Sequence, residues 1–386
     1  MDYETEIRKI LSESEYVESP FLAKYKASSY PKTVEEYELS DFHTLPQSPL
    51  VSVLILAYNK SEYICECVSS VLSQKTDFDF EVVIAEDCST DATRDIVFSL
   101  QHKHPDRIRV VYANANVGVM RNTLRGLRYC RGSYIAHMDG DDYCATNTKL
   151  QKQVDAFKLD KETTLVYTGG YVQLEKMRFL KVPLSYHTRR RLAGYNQLQR
   201  DEFSRMVLLN NPITASSVMM RADAAKFATE RIGKLFGYTE WFPCQDFELW
   251  FYCAIKGKCY YLDERSIVYR HNKGAVTAAN EEISSARCLG DCRNALAISM
   301  LEGFFTDEGF AKCMVNKFVR LYRQYTMISG IDNKQDALLL RYKDVVGAQV
   351  CDKRPKKSWM DGLKACLGRN YISYMLKSIA IRLFRV

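Results

Sequence analysis

The stretch Val51-Ser52-Val53-Leu54-Ile55-Leu56-Ala57 decides the fold of this protein. All of its residues except Ser52 are apolar, whereas a strand with one face in water would alternate between apolar and polar side chains. A nearly continuous apolar run of this length is typical of a parallel strand that helices cover on both faces. The sequence therefore predicts an α/β protein built around this strand.

The segment after this strand alternates regularly between strand-like and helix-like patterns. Further strands are expected at 81–85, 108–112 and 133–138. Helices with apolar spacing are expected at about 61–73, 89–103 and 118–130. Four strands joined by helices and short connections indicate a Rossmann-like, doubly wound, mostly parallel sheet.

Changes in composition divide the chain into four regions. A polar N-terminal extension, 1–48, precedes the sheet-forming region 49–275, which includes a further strand at 165–174 and a long basic loop at 176–200. Residues 276–351 have helical patterns without strands. Residues 352–386 form a basic tail with nine Lys or Arg and two Asp, so its net charge of +7 equals that of the whole chain.

The composition favours a cytoplasmic protein. The chain has 386 residues, of which 47% are hydrophobic and 26% are charged, and it has no apolar run of about 18 residues that would span a membrane. Its N-terminus lacks the apolar stretch of a secretory signal. The 13 cysteines are scattered, which is typical of reduced thiols.

The tail 352–386 predicts an amphipathic helix from Tyr371 to the end, with Lys and Arg among its apolar residues. This pattern fits a helix on an anionic membrane surface, and it also fits a helix packed on the rest of the protein or on a second subunit. A nucleic-acid partner is not expected, because the positive charge is confined to the tail and no nucleic-acid motif accompanies it.

Polar clusters follow three of the expected strands: Tyr58-Asn59, Glu86-Asp87 and Asp139-Gly140-Asp141-Asp142. Ligands of open α/β sheets bind beyond the carboxyl ends of the strands, where these clusters would meet. Two carboxylates at Asp-x-Asp spacing can reach one divalent cation, whose open positions accept phosphate oxygens. A solvated acidic turn would explain the third cluster alone, but the three clusters together favour a binding site.

Two phosphate-binding motifs are missing. No G-x-G-x-x-G follows the first strand and no G-x-x-x-x-G-K-[ST] occurs, so an ordinary dinucleotide or P-loop site is not predicted. A Mg²⁺ or Mn²⁺ ion on Asp139 and Asp141 would supply the positive charge for a diphosphate instead, with Asp142 bracing them.

The residue types suggest individual roles. The ring of Tyr58 can stack on a nucleobase, Asp87 can accept a hydrogen bond from a uracil-type N–H, and Glu86 can bind a ribose. Asp246 begins an expected helix, where an Asp is often only a cap. Apolar neighbours would, however, raise the pKa of Asp246 towards that of a general base.

Four motifs in this order and spacing resemble the family 2 glycosyltransferases with GT-A fold, over residues 49–275. They are 51–59, 84–91, Asn116-Val117-Gly118 and Asp139-Gly140-Asp141-Asp142. The resemblance implies a metal-dependent, inverting enzyme that uses a nucleotide-sugar donor, and the uracil-type contact favours a UDP-sugar.

The resemblance also implies roles for single residues. Asp246 matches the base that deprotonates the acceptor hydroxyl, and Asp139 and Asp141 match the ribose and metal–diphosphate contacts. Further donor contacts are implied for Tyr58, Asn59, Glu86, Asp87, Arg121 and Asn122, and a metal or diphosphate contact for His271. Two positions differ from the family pattern, because Glu86 replaces a commoner Asp and Gln245 precedes the base where an acid is usual.

The processive synthases of the family carry membrane helices and a Gln-x-x-Arg-Trp signature, which this sequence lacks. We therefore expect transfer of one sugar, or a few, to a glycan or lipid-linked acceptor in surface polysaccharide biosynthesis. The alternatives are a metal-dependent sugar nucleotidyltransferase, whose glycine- and lysine-rich loop is missing after Ala57, and a catalytically inactive nucleotide-sugar or glycan-binding protein.

Overall fold

The computed structural model describes residues 34–174, 181–183, 186–236, 242–244, 246–271 and 281–328, together with residues 5, 8, 10 and 11. Most of the N-terminal extension and the whole basic tail 352–386 lie outside the described residues. The expected amphipathic helix of the tail and its membrane contact therefore stay predictions.

The described residues contain ten strands and ten α-helices. The strands are β1 Glu36–Leu39, β2 Val51–Ala57, β3 Phe80–Glu86, β4 Ile108–Ala113, β5 Tyr134–Asp139, β6 Tyr143–Cys144, β7 Thr163–Leu174, β8 Lys181–Pro183, β9 Met219–Arg221 and β10 Lys258–His271. The helices are α1 Ile64–Leu72, α2 Thr93–Lys103, α3 Val119–Tyr129, α4 Lys149–Leu159, α5 Tyr186–Gly194, α6 Arg200–Asn210, α7 Ala222–Leu235, α8 Asp246–Lys256, α9 Glu281–Leu301 and α10 Glu308–Ile328. None of these helices is long and apolar enough to cross a bilayer.

All strands belong to one sheet with the order β1-β4-β3-β2-β5-β9-β7-β10-β6, and β8 pairs with β7. Strand β2 pairs in parallel with both β3 and β5, and β7 pairs in parallel with β10. The antiparallel pairings, such as β5 with β9 and β7 with β8, are shorter. The chain moves outward from β2 to β4 and then returns through α3 to β5 on the other side of β2. The predicted α/β, doubly wound, mostly parallel sheet is confirmed.

Two hydrophobic clusters lie on the two faces of the sheet. On one face Val53 and Ile55 of β2 pack with residues of α1, α2 and α4. On the other face Leu54 and Leu56 pack with α3 and with a larger cluster that includes Trp250 of α8. Because consecutive residues of β2 point to opposite faces and both faces are covered, the strand is apolar throughout.

Helices α9 and α10 extend the second cluster. Leu296 of α9 and Phe318 of α10 are fully or almost fully buried in the same cluster as Trp250. Within the region 276–351, the part that the structure describes, 281–328, contains helices and no strand.

A buried ion-pair network joins the amino ends of the central strands. Glu81 on β3 is fully buried and accepts hydrogen bonds from Ser52 Oγ at 2.7 Å and from Arg131 Nε at 2.8 Å, and Arg109 Nη1 lies 3.2 Å from it. Burial alone would raise the pKa of Glu81, but the hydrogen bonds from Arg131 and Ser52 hold it below its ordinary value. The network therefore contains an ionised carboxylate that depends on its two arginines.

The prediction of a long loop at 176–200 is wrong for the described part of this segment. It contains β8, helix α5 and a 3-10 turn at Tyr195–Gln197. Arg189 of α5 makes two hydrogen bonds of 2.7 Å to Asp263, and Asn196 Nδ2 donates to Tyr261 O at 3.0 Å. These partners lie on β10, more than 60 residues later in the chain, so the local sequence does not reveal them.

Candidate active site

The acidic loop after β5, Asp139–Asp142, turns sharply beside the end of β2. Gly140 N donates to Leu56 O at 2.9 Å, and Asp142 N donates to Asp139 O at 2.9 Å. A Cβ atom at position 140 would lie 2.8 Å from Leu56 O, closer than side-chain carbons come to backbone oxygens. Glycine is therefore required here, and it allows the loop to hold its carboxylates against the carboxyl end of the sheet.

The carboxylates of this loop share a poorly hydrated site. Asp141 is 7% exposed and its Oδ2 lies 2.6 Å from Lys60 Nζ. Burial, and then the charge of Asp141, raises the pKa of Asp139 to about 7, while Lys60 acts in the opposite direction. Since like charges repel strongly where water is scarce, this pair favours a bound cation.

Asp142 holds the acidic loop through hydrogen bonds to two other parts of the chain. Its carboxylate accepts hydrogen bonds from Ser216 Oγ at 2.5 Å and from the backbone N–H of Arg270 at 2.9 Å. Burial, followed by the charges of Asp141 and Asp139, raises its pKa well above the ordinary value. Asp142 is therefore used within the protein and does not face a ligand.

Arg270, near the end of β10, fixes the same loop from the other side. It donates to Asp141 O at 2.8 Å, and its guanidinium lies 4.3 Å from the ring centre of Tyr143 and also pairs with Glu66. The neighbouring His271 is the last residue of β10 and is half-buried. The side chain that holds the acidic loop is thus Arg270, and His271 lies next to it at the strand end.

The loop after β3 is built around Asp87. Its two carboxylate oxygens accept hydrogen bonds of 3.0 Å from the backbone N–H groups of Val117 and Gly118, and Arg125 lies 3.7 Å away. Burial raises the pKa of Asp87, and these partners partly oppose the effect. Asp87 therefore ties the start of α3 to the carboxyl end of β3.

Glu86 and Asn59 shape the loops on either side of the site. Glu86 is fully buried and accepts hydrogen bonds from the backbone N–H groups of Cys88 and Ser89 and from Arg94. Asn59 has a left-handed backbone, with φ of 52°, and its side-chain oxygen accepts a hydrogen bond from Thr90 N at 2.8 Å. Both side chains are used to position loops.

The remaining predicted donor contacts lie in different surroundings. Tyr58 is 42% exposed, which leaves it accessible for stacking. Asn122 is only 2% exposed and donates to Ala85 O at 2.9 Å, so it lies beneath the site. Arg121 is half-buried and its guanidinium lies 5.0 Å from the ring centre of Phe236. The structure therefore gathers Tyr58, Asp87, Asp139 and Asp141 at the carboxyl end of the sheet.

Asp246 is the first residue of α8. Its carboxylate accepts a hydrogen bond from Phe247 N at 2.8 Å, and Asn211 Nδ2 lies 3.4 Å from its second oxygen. Burial raises the pKa of Asp246 to about 6. The charge of Asp246 in turn contributes to the raised pKa of Asp139, so the two carboxylates are close enough to interact.

A further acid lies behind Asp246. Burial, and then the charge of Asp246, raises the pKa of Asp291 on α9 to about 7, and Asp291 accepts hydrogen bonds from Cys244. Glu248, two residues after Asp246, is fully buried and bonds Asn294 of α9 at 3.1 Å. The start of α8 thus packs against an acidic part of α9.

The described side chains contain no group of three or more His, Cys, Asp and Glu residues that could hold a metal ion by themselves. Asp139 and Asp141 offer two carboxylates, and Mg²⁺ commonly uses one or two carboxylates together with water and substrate phosphates. The two residues therefore fit a cation whose coordination a phosphate-bearing substrate completes.

Sequence reasoning missed Lys60, Ser216 and Asp291, and it did not predict that Arg270 holds the acidic loop. No local pattern reveals the pairing of Lys60 with Asp141, because the two residues are 81 positions apart. The only available signal is that Lys60 directly follows one of the three polar clusters at the strand ends.

Comparisons with known proteins match part of the chain to a family and to several relatives. The model of the family "Glycosyl transferase family 2" matches residues 52–214. An uncharacterized protein of Mycobacterium tuberculosis is 38% identical over 117 residues, which cover 30% of this chain and 34% of that protein. Chondroitin synthase of Escherichia coli is 41% identical over 126 residues, which cover 32% of this chain and 18% of that protein. The chain thus spans about a third or less of the length of these relatives.

Among solved structures, TarS residues 1–349 of S. aureus in complex with UDP-GlcNAc aligns with a TM-score of 0.45 and 17% identity. The alignment covers 76% of this chain and 79% of that one. The family match, 52–214, contains Tyr58, Asp87, Asp139 and Asp141, whereas Asp246 and Arg270 lie beyond it.

Proposed function

Because this chain belongs to glycosyl transferase family 2 through residues 52–214, we propose that it transfers a sugar from a nucleotide-diphosphate donor to a hydroxyl group of its acceptor, with inversion of configuration. The observation that supports this most is the electrostatic interaction of Asp246 with Asp139, because it would give one site both a base and a place for a cation. We further propose a glycan or lipid-linked acceptor in surface polysaccharide biosynthesis, since one relative is named chondroitin synthase.

The donor would lie along the carboxyl ends of β2, β3 and β5. The exposed ring of Tyr58 offers a stacking surface for the base. Asp87 follows the neighbouring strand β3, and its carboxylate would have to accept a uracil N–H beside the backbone N–H groups of Val117 and Gly118. On that contact we propose a UDP-sugar. Asp139 and Asp141 lie at the end of β5, where the diphosphate would reach them.

Each side chain then has a limited task in the reaction. A Mg²⁺ or Mn²⁺ ion bound by Asp139 and Asp141 would offset the negative charge of the departing nucleoside diphosphate. Asp246 accepts the proton of the acceptor hydroxyl while that oxygen attacks the anomeric carbon. The bond to the nucleoside diphosphate breaks on the opposite face of the sugar, so a single displacement inverts the configuration.

The direct test is transfer activity with a panel of nucleotide-sugars, measured as release of nucleoside diphosphate in the presence of Mn²⁺. We expect activity with a UDP-sugar, loss of activity in EDTA and recovery after Mn²⁺ is restored. Asp141→Ala should weaken Mn²⁺-dependent UDP binding in calorimetry at least tenfold, because half of the carboxylate pair is gone. Asp155→Ala on the outer surface of α4 is the matched control.

Full activity in EDTA would contradict the metal assignment. Release of pyrophosphate, with no transfer of sugar from any donor, would contradict the proposed reaction.

A further inference from the structure

Lys60 is the cation that pairs directly with a carboxylate of the Asp-x-Asp motif in the acidic loop. Its Nζ lies 2.6 Å from Asp141 Oδ2, and the two side chains are only 19% and 10% exposed. Its charge also reaches Asp139, whose pKa it lowers against the effects of burial and of Asp141. The ammonium group therefore offsets part of the negative charge of the pair on which the proposed divalent cation would bind.

The position of Lys60 is fixed by its backbone and by its stem. Lys60 N donates to Thr93 Oγ1 at 2.7 Å, and its carbonyl accepts hydrogen bonds from Tyr63 and Ile64 at the start of α1, each at 2.9 Å. Its Cγ lies 3.5 Å from the position that a Cβ of Gly140 would occupy, so the stem runs directly over the glycine of the acidic loop. The ammonium group is thus held near Asp141 by more than the ion pair.

The ion pair and a bound metal compete for the same oxygen atoms. A divalent cation needs carboxylate oxygens, and Asp141 offers one of them to Lys60. A lysine released from its carboxylate in a poorly hydrated site needs another anion, because an unpaired buried charge is costly. The diphosphate of the donor is the anion that would arrive together with the metal, and lysine is a common phosphate ligand.

We propose that Lys60 is a displaceable counter-cation, which pairs with Asp141 before the donor binds and contacts the donor diphosphate after a divalent cation has taken Asp141. This inference rests on the proposed function. Metal alone binds weakly, since it must displace Lys60 without offering it a new partner. Metal and nucleoside diphosphate bind cooperatively, since each makes the other's site available.

The test measures two affinities in the full-length protein and its variants. Mn²⁺ binding is followed by electron paramagnetic resonance of the free ion, and UDP binding by calorimetry with and without saturating Mn²⁺. The test variant is Lys60→Met, which keeps the stem and removes the charge. The matched control is Lys152→Met, because Lys152 also pairs with a carboxylate, Glu264, at 2.7 Å, but lies on the outer surface of α4.

Lys60→Met should bind Mn²⁺ alone about tenfold more tightly than the unaltered protein, because a charge-assisted hydrogen bond no longer competes. It should bind UDP in saturating Mn²⁺ about tenfold more weakly, because one phosphate contact is gone. Lys152→Met should change neither value. Thermal melts establish that each variant is folded, and Lys60→Gln replaces Lys60→Met if the latter is not.

Two results would overturn this inference and leave the proposed function intact. They are unchanged or weaker Mn²⁺ binding by the Lys60 variant, and unchanged UDP binding by the Lys60 variant. Both are read against an unaltered protein that binds Mn²⁺ and UDP. If the unaltered protein binds neither Mn²⁺ nor UDP, the proposed function fails and the inference fails with it. The two failures are therefore distinguishable.

Discussion

Replacing Asp246 by Asn should inactivate the enzyme and stabilise its fold at the same time. Burial raises the pKa of Asp246 from its ordinary value of 3.8 to about 6. One pKa unit corresponds to about 1.4 kcal/mol, so the ionised carboxylate costs the folded protein about 3 kcal/mol at pH 8. Asn accepts the hydrogen bond from Phe247 N less well, and we therefore expect a net gain of about 1–2 kcal/mol.

The sign of the pH dependence follows from the direction of this shift. A carboxyl group whose pKa is higher in the folded than in the unfolded state binds its proton more tightly when folded, so stability falls as the pH rises from about 4 to about 6. Asp246→Asn removes this loss. The variant should be somewhat less stable than the unaltered protein near pH 4, where only the weaker hydrogen bond counts, and more stable at pH 8.

Urea unfolding followed by tryptophan fluorescence at both pH values measures this difference, and donor turnover measures activity. Loss of a general base should reduce turnover by about 10²–10⁴-fold, with UDP affinity retained. Asp155→Asn is the matched control, because the pKa of the exposed Asp155 is lowered by its hydrogen bond with Lys158 and its replacement should give no gain in stability. A destabilised Asp246→Asn variant at pH 8, or one that retains full turnover, would refute this reasoning.

Two further substitutions test the structure around the site. Gly140→Ala should lower the free energy of unfolding by about 2–3 kcal/mol in urea titrations, because its Cβ would lie 2.8 Å from Leu56 O. The control Gly194→Ala in α5 should be neutral, because its Cβ would meet no atom within 4 Å. Equal effects of the two substitutions would contradict the packing argument. Glu81→Gln should lower the free energy of unfolding by about 3 kcal/mol in the same assay, because it leaves buried arginine charges without their carboxylate. The control Glu264→Gln, in a more exposed ion pair, should lower it by less than about 1 kcal/mol. Similar losses for both variants would show that burial of the network matters little.

The sequence predicts the centre of the sheet well because its physical cause is local. Strands covered on both faces must be apolar, so β2, β3 and β4 are visible as apolar runs. Strand β1, Glu36–Leu39, has half of its residues charged and lies at the edge, where only its pairing with β4 makes it a strand. Such pairing is not encoded within four residues.

The candidate site, like the sheet, is predictable only where the cause is local in the sequence. Asp139, Asp141 and Asp246 stand out because carboxylates next to apolar runs need an explanation. The partners that set their charge do not stand out, because Lys60 and Asp291 are ordinary charged residues until the fold brings them close. The raised pKa of Asp246, predicted from its apolar neighbours, is borne out in direction and in cause.

The pairing of β10 has a consequence for exchanging parts between related enzymes. This strand lies beyond residues 52–214, yet it pairs along most of its length with β7 and supplies the backbone N–H group that binds Asp142. A chimera that takes only the family-matched segment from this chain would join β7 to a foreign strand and place a foreign residue at Arg270. The smallest transplantable unit therefore extends at least to His271, and crossovers before that point would disturb the acidic loop even where the sequences align well.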